Sequence, residues 1–118
     1  MSVLVVEDEG LILMTIADEL RDAGFTVFEA NNADHAVKLL ETHPEIDVLF
    51  TDIDMPGSMD GLRLSAAVRN KWPPIRIIIT SGKHRPDNSV IPEQSLFVPK
   101  PYVTAQIVTA IRNFSSLH

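Results

Sequence analysis

No cysteine occurs among the 118 residues, which excludes disulfides and thiolate metal sites and leaves nothing pointing to secretion. Long hydrophobic runs are missing too: the apolar stretches fall far short of the roughly 20 residues that a membrane-spanning helix needs. The opening segment MSVLVVEDEG carries no basic flank of the kind found in a secretory signal, so a cytoplasmic location without membrane contact is expected. Positive charge is scarce. Ten lysines and arginines face 16 aspartates and glutamates, a formal net charge of −6, which argues against a nucleic-acid backbone as a direct partner. What is present is the mixture of a globular protein, 45% hydrophobic and 22% charged, in a length that suits a single domain over residues 1–118 with one real core.

Short apolar runs alternate with stretches of helical period. Ser2 to Val6, Thr26 to Ala30, Asp47 to Thr51, Arg76 to Thr80 and Ser95 to Val98 are too short for helices, and apolar enough for strands buried on both faces. Between them, Leu13, Ile16, Ala17 and Leu20 share one helical face, as do Ala33, Ala36, Val37 and Leu40, then Leu62, Leu64, Ala67 and Val68, and finally Ile107, Val108, Ile111 and Phe114. Gly24 is a stop signal and Asn32 a cap. The alternation predicts an α/β fold built on a parallel sheet. One interval breaks the rhythm: from Ser81 to Gln94, Pro86 and Pro92 leave room for barely one helical turn. A shortened, irregular or mobile fourth helix is expected there.

In open parallel sheets, ligands bind beyond the carboxyl ends of the strands. The conspicuous polar residues all fall at such ends: Glu7 and Asp8 after the first strand, Asp52 after the third, Thr80 closing the fourth and Lys100 following the fifth. If the first and third strands are neighbours, three carboxylates share one crevice, where their mutual repulsion calls for a cation. Oxygen ligands with room left for water suit magnesium. A lysine and a threonine hydroxyl at the same crevice complete a set suited to phosphoryl transfer, in which positioning and charge neutralisation do most of the work. The histidines His35, His43, His84 and His118 are scattered and form no such constellation.

Four segments, VLVVEDE, TDIDMPGSMDGL, IIITSG and FVPKPY, stand in an order and spacing that resemble the receiver domain of two-component response regulators over essentially the whole chain. The resemblance implies a flavodoxin-like doubly wound sheet of five strands in the order 2-1-3-4-5, which places the first and third strands side by side. It implies that Asp52 is the phosphoacceptor. Magnesium, or manganese in its place, would be held by the side chains of Asp8 and Asp52, by the backbone carbonyl of Asp54, and by Glu7 through water. Thr80 and Lys100 would stabilise the phosphoryl group, Phe97 would be the switch aromatic, and the bond before Pro101 would be cis. Asp54 and Gly82 would flank the approach of hydrolytic water and tune dephosphorylation. The implied donor is a sensor histidine kinase or a histidine phosphotransfer protein, and the output is an unnamed downstream protein, with a monomer or weak dimer expected. Beyond magnesium-dependent self-phosphorylation and self-dephosphorylation, no enzyme activity is implied.

Two departures from the family pattern stand out. The loop MPGSMDG carries one residue more than usual between its Met-Pro and Asp-Gly pairs, so a bulge beside the site is expected, and the Ser81 to Gln94 segment lies where such domains usually signal. Two other readings compete. An aspartyl-phosphate is also a hydrolytic intermediate, so a small magnesium-dependent phosphohydrolase is the alternative, although 118 residues leave no spare chain for a cap. A flavodoxin-like cofactor binder is disfavoured, because acidic residues and not a phosphate-cradling loop follow the first strand.

Overall fold

Runs of branched aliphatic residues form strands when both faces of a sheet are covered, and the computed structural model of this chain follows that rule. The structure describes residues 1–55, 59–82, 91–92 and 94–116. In chain order the elements are β1 (Ser2–Val6), α1 (Gly10–Asp22), β2 (Thr26–Ala30), α2 (Ala33–Thr42), β3 (Ile46–Asp52), α3 (Gly61–Lys71), β4 (Arg76–Ser81), β5 (Ser95–Pro99) and α4 (Thr104–Ser116). The five strands form one sheet in the order β2-β1-β3-β4-β5, and every neighbouring pair is parallel. The strand order reverses at β1, with β2 on one side and β3 on the other, which opens a crevice at the carboxyl ends of β1 and β3.

Successive residues of a strand face opposite sides of the sheet, and the core divides accordingly. Leu4, Val6, Leu49, Ile77 and Ile79 pack with Ala36 and Leu40 of α2 and with Leu64 and Val68 of α3. Val3, Val5, Val48, Phe50 and Ile78 pack on the other side with Leu13, Ala17 and Leu20 of α1 and with Ile107 and Ile111 of α4. Ile77, Ile78 and Ile79 are completely buried, and each such side chain contributes roughly 1.5–3 kcal/mol of hydrophobic stabilisation. The sheet is therefore a stiff platform for the residues at its carboxyl edge.

Local signals set the helix ends. Asn32 Oδ1 accepts the His35 amide at 2.8 Å, and Asp60 Oδ1 accepts the Arg63 amide at 2.9 Å, each satisfying a first-turn donor. Gly24, at φ +101°, takes the left-handed turn after α1 that glycine adopts cheaply. The expected face of α3 needs correction. Ala67 is exposed, and the buried stripe runs Gly61, Leu64, Ser65, Val68, because the i, i+3, i+4, i+7 phase begins at the glycine and passes Ala67 by. Ser65 is accommodated by donating its hydroxyl to the Gly61 carbonyl at 2.6 Å. The short fourth helix expected between β4 and β5 falls mainly on residues 83–90 and 93, and the bulge expected in MPGSMDG on residues 56–58; both lie outside the described residues.

Candidate functional site

Because β1, β3 and β4 are adjacent and parallel, their last residues meet at one edge. Glu7 is fixed by its amide, which donates to the Ala30 carbonyl at 3.1 Å, and Asp52 is in register with Thr80 across the β3–β4 ladder. One carboxylate oxygen each from Glu7, Asp8 and Asp52 lies within 4.8 Å of the others. Glu7 and Asp52 are both only 4% exposed, whereas Asp8 is exposed.

Burying carboxylates this close together has an electrostatic cost. The Glu7 carboxyl is raised to about 7: burial raises it most, the Glu9 amide, donating to Glu7 Oε1 at 3.2 Å, pulls it back, the charge and hydrogen bonding of Asp52 raise it, and the Lys100 charge lowers it. The compensating cation is Lys100. Its Nζ donates to Asp52 Oδ2 at 2.7 Å and lies 3.9 Å from Glu7 Oε2. Burial alone would lower the lysine pKa, but the hydrogen bond and charge of Asp52, with help from Glu7 and Glu9, outweigh burial and raise it. The ammonium is thus kept charged between the two carboxylates.

The remaining contacts lock the geometry. Asp52 Oδ1 accepts the Asp54 amide at 3.0 Å, the Ile53 amide donates to the Thr80 carbonyl at 2.9 Å, and the Lys100 amide donates to the Ser81 carbonyl at 3.0 Å. The Lys100–Pro101 peptide bond is cis. Thr80 Oγ1 is buried and has no hydrogen-bond partner among the described residues, which is unusual for a buried hydroxyl. Thr80 lines a small void with Glu7, Asp52 and Tyr102. Gly82 lies against the aliphatic stem of Lys100, where a Cβ would sit 3.5 Å from Lys100 Cδ. Phe97 is half-buried, in register with Ile79, and packs on the α2–α3 side of the core. The described histidines do other work: His43 packs on Phe28 with ring centroids 4.5 Å apart and pairs with Glu45, and the His35 amide takes part in the α2 cap.

Three residues of the site were missed by sequence reasoning. Tyr102 closes the void, its ring edge-on to Phe50 at 5.7 Å, and its phenol is pushed up by burial and then by the charges of Glu7 and Asp52. Ser81 Oγ donates to Asp54 Oδ2 at 2.8 Å; the only hint in the sequence was a second hydroxyl directly after Thr80. Gly61 opens α3 against the end of β3: a Cβ there would collide with the Asp52 carbonyl oxygen and lie 2.8 Å from Ile53 Cα. Both obstacles are backbone, so no rotamer change relieves them. Gly61→Ala is expected to lose roughly 3–5 kcal/mol, beyond ordinary overpacking. Gly10→Ala meets nothing within 4 Å and is expected to be neutral or to gain up to about 1 kcal/mol. Urea midpoints of the two variants test the contrast, and equal midpoints would remove the steric argument.

The donor set fits a hard divalent cation. All the candidate ligands are oxygens, two of the three carboxylates are buried, and the three converge within 4.8 Å of one another. The comparisons with known proteins agree with this geometry. Residues 3–112 match the family described as "Response regulator receiver domain". The chain is 32% identical over 115 residues to the sensor kinase CckA of Brucella abortus, an alignment covering 94% of this chain and 12% of that protein; it therefore spans only a small part of this curated relative. Among solved structures, a response regulator receiver protein from Sinorhizobium medicae superposes with a TM-score of 0.89 at 28% identity, covering 99% of this chain and 95% of the other. The response regulator TrrA of Thermotoga maritima, solved in complex with magnesium and beryllofluoride, gives 0.82 at 26% identity, with 95% and 96% covered.

Proposed function

This chain belongs to the response regulator receiver domain family, and we propose that it is a phosphorylatable switch whose acceptor is Asp52. A lone pair on the Asp52 carboxylate forms the new O–P bond. The P–N bond of a phosphohistidine breaks, and the donor imidazolium leaves as neutral imidazole. The donor would be a sensor histidine kinase or a histidine phosphotransfer protein, and the setting cytoplasmic; among the described residues no helix is long and apolar enough to cross a membrane. Next to the site, a groove of about 690 Å³ is lined by Leu11, Ile12, Lys100, Pro101 and Thr104 among others. Leu11 and Ile12, which line it, are exposed. An apolar face beside the acceptor suits docking of the donor protein.

The observation that carries this reading is the Thr80 hydroxyl, buried without a partner among the described residues and in register with an Asp52 whose carboxylate is already paired with Lys100. A phosphoryl group on Asp52 would supply the acceptor that Thr80 lacks and a second anion for Lys100. Magnesium, or manganese, would be held by Asp8 and Asp52 through their carboxylates, by the Asp54 backbone carbonyl, and by Glu7 through water. Bound there, the ion supplies positive charge against the charge on the transferring phosphoryl oxygens. The pull on Thr80 is the event that a partner would sense, with Phe97, on the neighbouring strand, as the candidate aromatic that follows it. Loss of the signal is attack of water on phosphorus with cleavage of the aspartyl O–P bond, giving inorganic phosphate and the free carboxylate.

Incubation with acetyl phosphate and magnesium tests the assignment. One phosphoryl group per chain is expected, mapped by mass spectrometry to Asp52 and dependent on the divalent ion; a label elsewhere overturns it. Gly82 and Asp54 flank the approach of water in this reading. Since a Cβ at Gly82 makes only ordinary contact with Lys100, Gly82→Leu should fold and should slow loss of the label. An unchanged decay rate removes Gly82 from the site.

A further inference from the structure

We propose that Ser81 is a positioning residue: its hydroxyl holds the Asp54 carboxylate against the end of β4 and so keeps a fourth negative charge out of the acidic cluster at Asp52. The inference rests on Asp52 being the phosphoacceptor. Ser81 is the fixed partner of the pair. It is 3% exposed, pairs with Pro99 in the β4–β5 ladder, and its carbonyl is held by the Lys100 amide at 3.0 Å. Asp54 is the movable partner, a half-buried residue beyond the end of β3 whose own amide is spent on Asp52 Oδ1.

The Asp54 side chain starts two residues from the acceptor, so its carboxylate has two places to go: the donor on β4 or the crevice. With the Ser81 hydroxyl at 2.8 Å from Asp54 Oδ2 it takes the first. The carboxylates that converge within 4.8 Å are accordingly those of Glu7, Asp8 and Asp52, and Asp54 is not among them. That matters because three carboxylates already converge within 4.8 Å, and among the described residues Lys100 is the cation paired with them, 2.7 Å from Asp52 Oδ2 and 3.9 Å from Glu7 Oε2. A fourth carboxylate in the crevice would attract cations more strongly, draw the Lys100 ammonium away from Asp52, and repel an anionic phosphodonor.

Two opposite shifts therefore follow from Ser81→Ala. Magnesium affinity, measured by calorimetry without any phosphodonor, should rise roughly 3- to 10-fold, while labelling by acetyl phosphate at saturating magnesium should slow by roughly the same factor. Both shifts should vanish when Ser81→Ala is made in an Asp54→Asn background, which keeps an oxygen for the hydrogen bond and removes the charge. A merely structural serine would behave otherwise, since a loosened site binds magnesium more weakly and labels more slowly together. That joint loss, no change in either quantity, or shifts that persist without the Asp54 charge would each overturn the proposal. The calorimetric measurement does not depend on phosphoryl transfer, so if the label does not map to Asp52 the acceptor assignment fails while Ser81 is still judged.

Discussion

With asparagine in place of Asp52, the chain should fold as before and take no phosphoryl group. The amide has nearly the shape of the carboxylate and keeps an oxygen for the Asp54 amide, which donates to Asp52 Oδ1 at 3.0 Å in the wild type. It has no carboxylate oxygen to form the acyl phosphate, so labelling should fall below detection and not merely slow. The effect on stability is expected to be small, because two opposed contributions disappear together. The variant loses the 2.7 Å pair between Lys100 and Asp52, and it also loses the repulsion that Asp52 exerts on Glu7. Lys100 Nζ is already 3.9 Å from Glu7 Oε2 and can turn to that partner. A change within about 1 kcal/mol in urea unfolding is the expectation. Phosphate-affinity electrophoresis alongside the denaturation curves separates the two effects. Labelling equal to the wild type would move the acceptor elsewhere, and an unfolded variant would show that the Asp52 charge is structural.

The strands and the placement of the polar residues were legible because both depend on local pattern. Ser2–Val6 and Thr26–Ala30 have the expected bounds, and β3, β4 and β5 are extended by one residue at one or both ends. A run such as RIIIT has no solvated face in a covered sheet, so it announces a strand. Polar groups directly after such runs must stand at the sheet's edge, and for this reason Glu7, Asp52, Thr80 and Lys100 could be grouped before their distances were known. What stayed hidden depends on contacts between distant segments. That Glu7 is buried while its neighbour Asp8 is exposed follows from where the chain turns after β1, and adjacent acidic letters do not encode the turn. The need for glycine at position 61 arises from the approach of α3 to the Asp52 carbonyl, and an Asp-Gly pair before a helix reads equally well as an ordinary cap. Ser81 and Asp54 are 27 residues apart, joined by a hydrogen bond that only the β3–β4 register brings within reach. The face of α3 was misjudged for a simpler reason. Ala67 has the right chemistry and the wrong phase, while Ser65 has the right phase and becomes tolerable inside because its hydroxyl bonds back to the helix.

Lys100→Met should separate the two tasks proposed for the lysine, pairing the resting carboxylates and stabilising the phosphoryl group. In the resting site its ammonium lies between two carboxylates that are each 4% exposed, at 2.7 Å from Asp52 Oδ2 and 3.9 Å from Glu7 Oε2. Methionine fills much of the aliphatic volume, including the part that contacts Gly82, and removes the charge. In metal-free buffer the variant should lose about 1–3 kcal/mol, less than for a fully buried pair because the lysine side chain is 30% exposed. Magnesium should bind the variant more tightly than the wild type, since a cation that competes for the same oxygens is gone, and should restore much of the lost stability. Phosphoryl transfer should move the other way. Removing one fixed positive group from the developing phosphoryl charge costs roughly 10²–10³ in rate at saturating magnesium, the scale seen when a single preorganised donor is deleted. Lys100→Arg should recover only part of this, because a planar guanidinium does not replace a compact ammonium in a space shaped for one. Calorimetric magnesium titration and the rate of labelling from acetyl phosphate read the two tasks independently. Weaker magnesium binding together with unimpaired labelling would mean that Lys100 shapes the metal site and leaves the phosphoryl group to other residues.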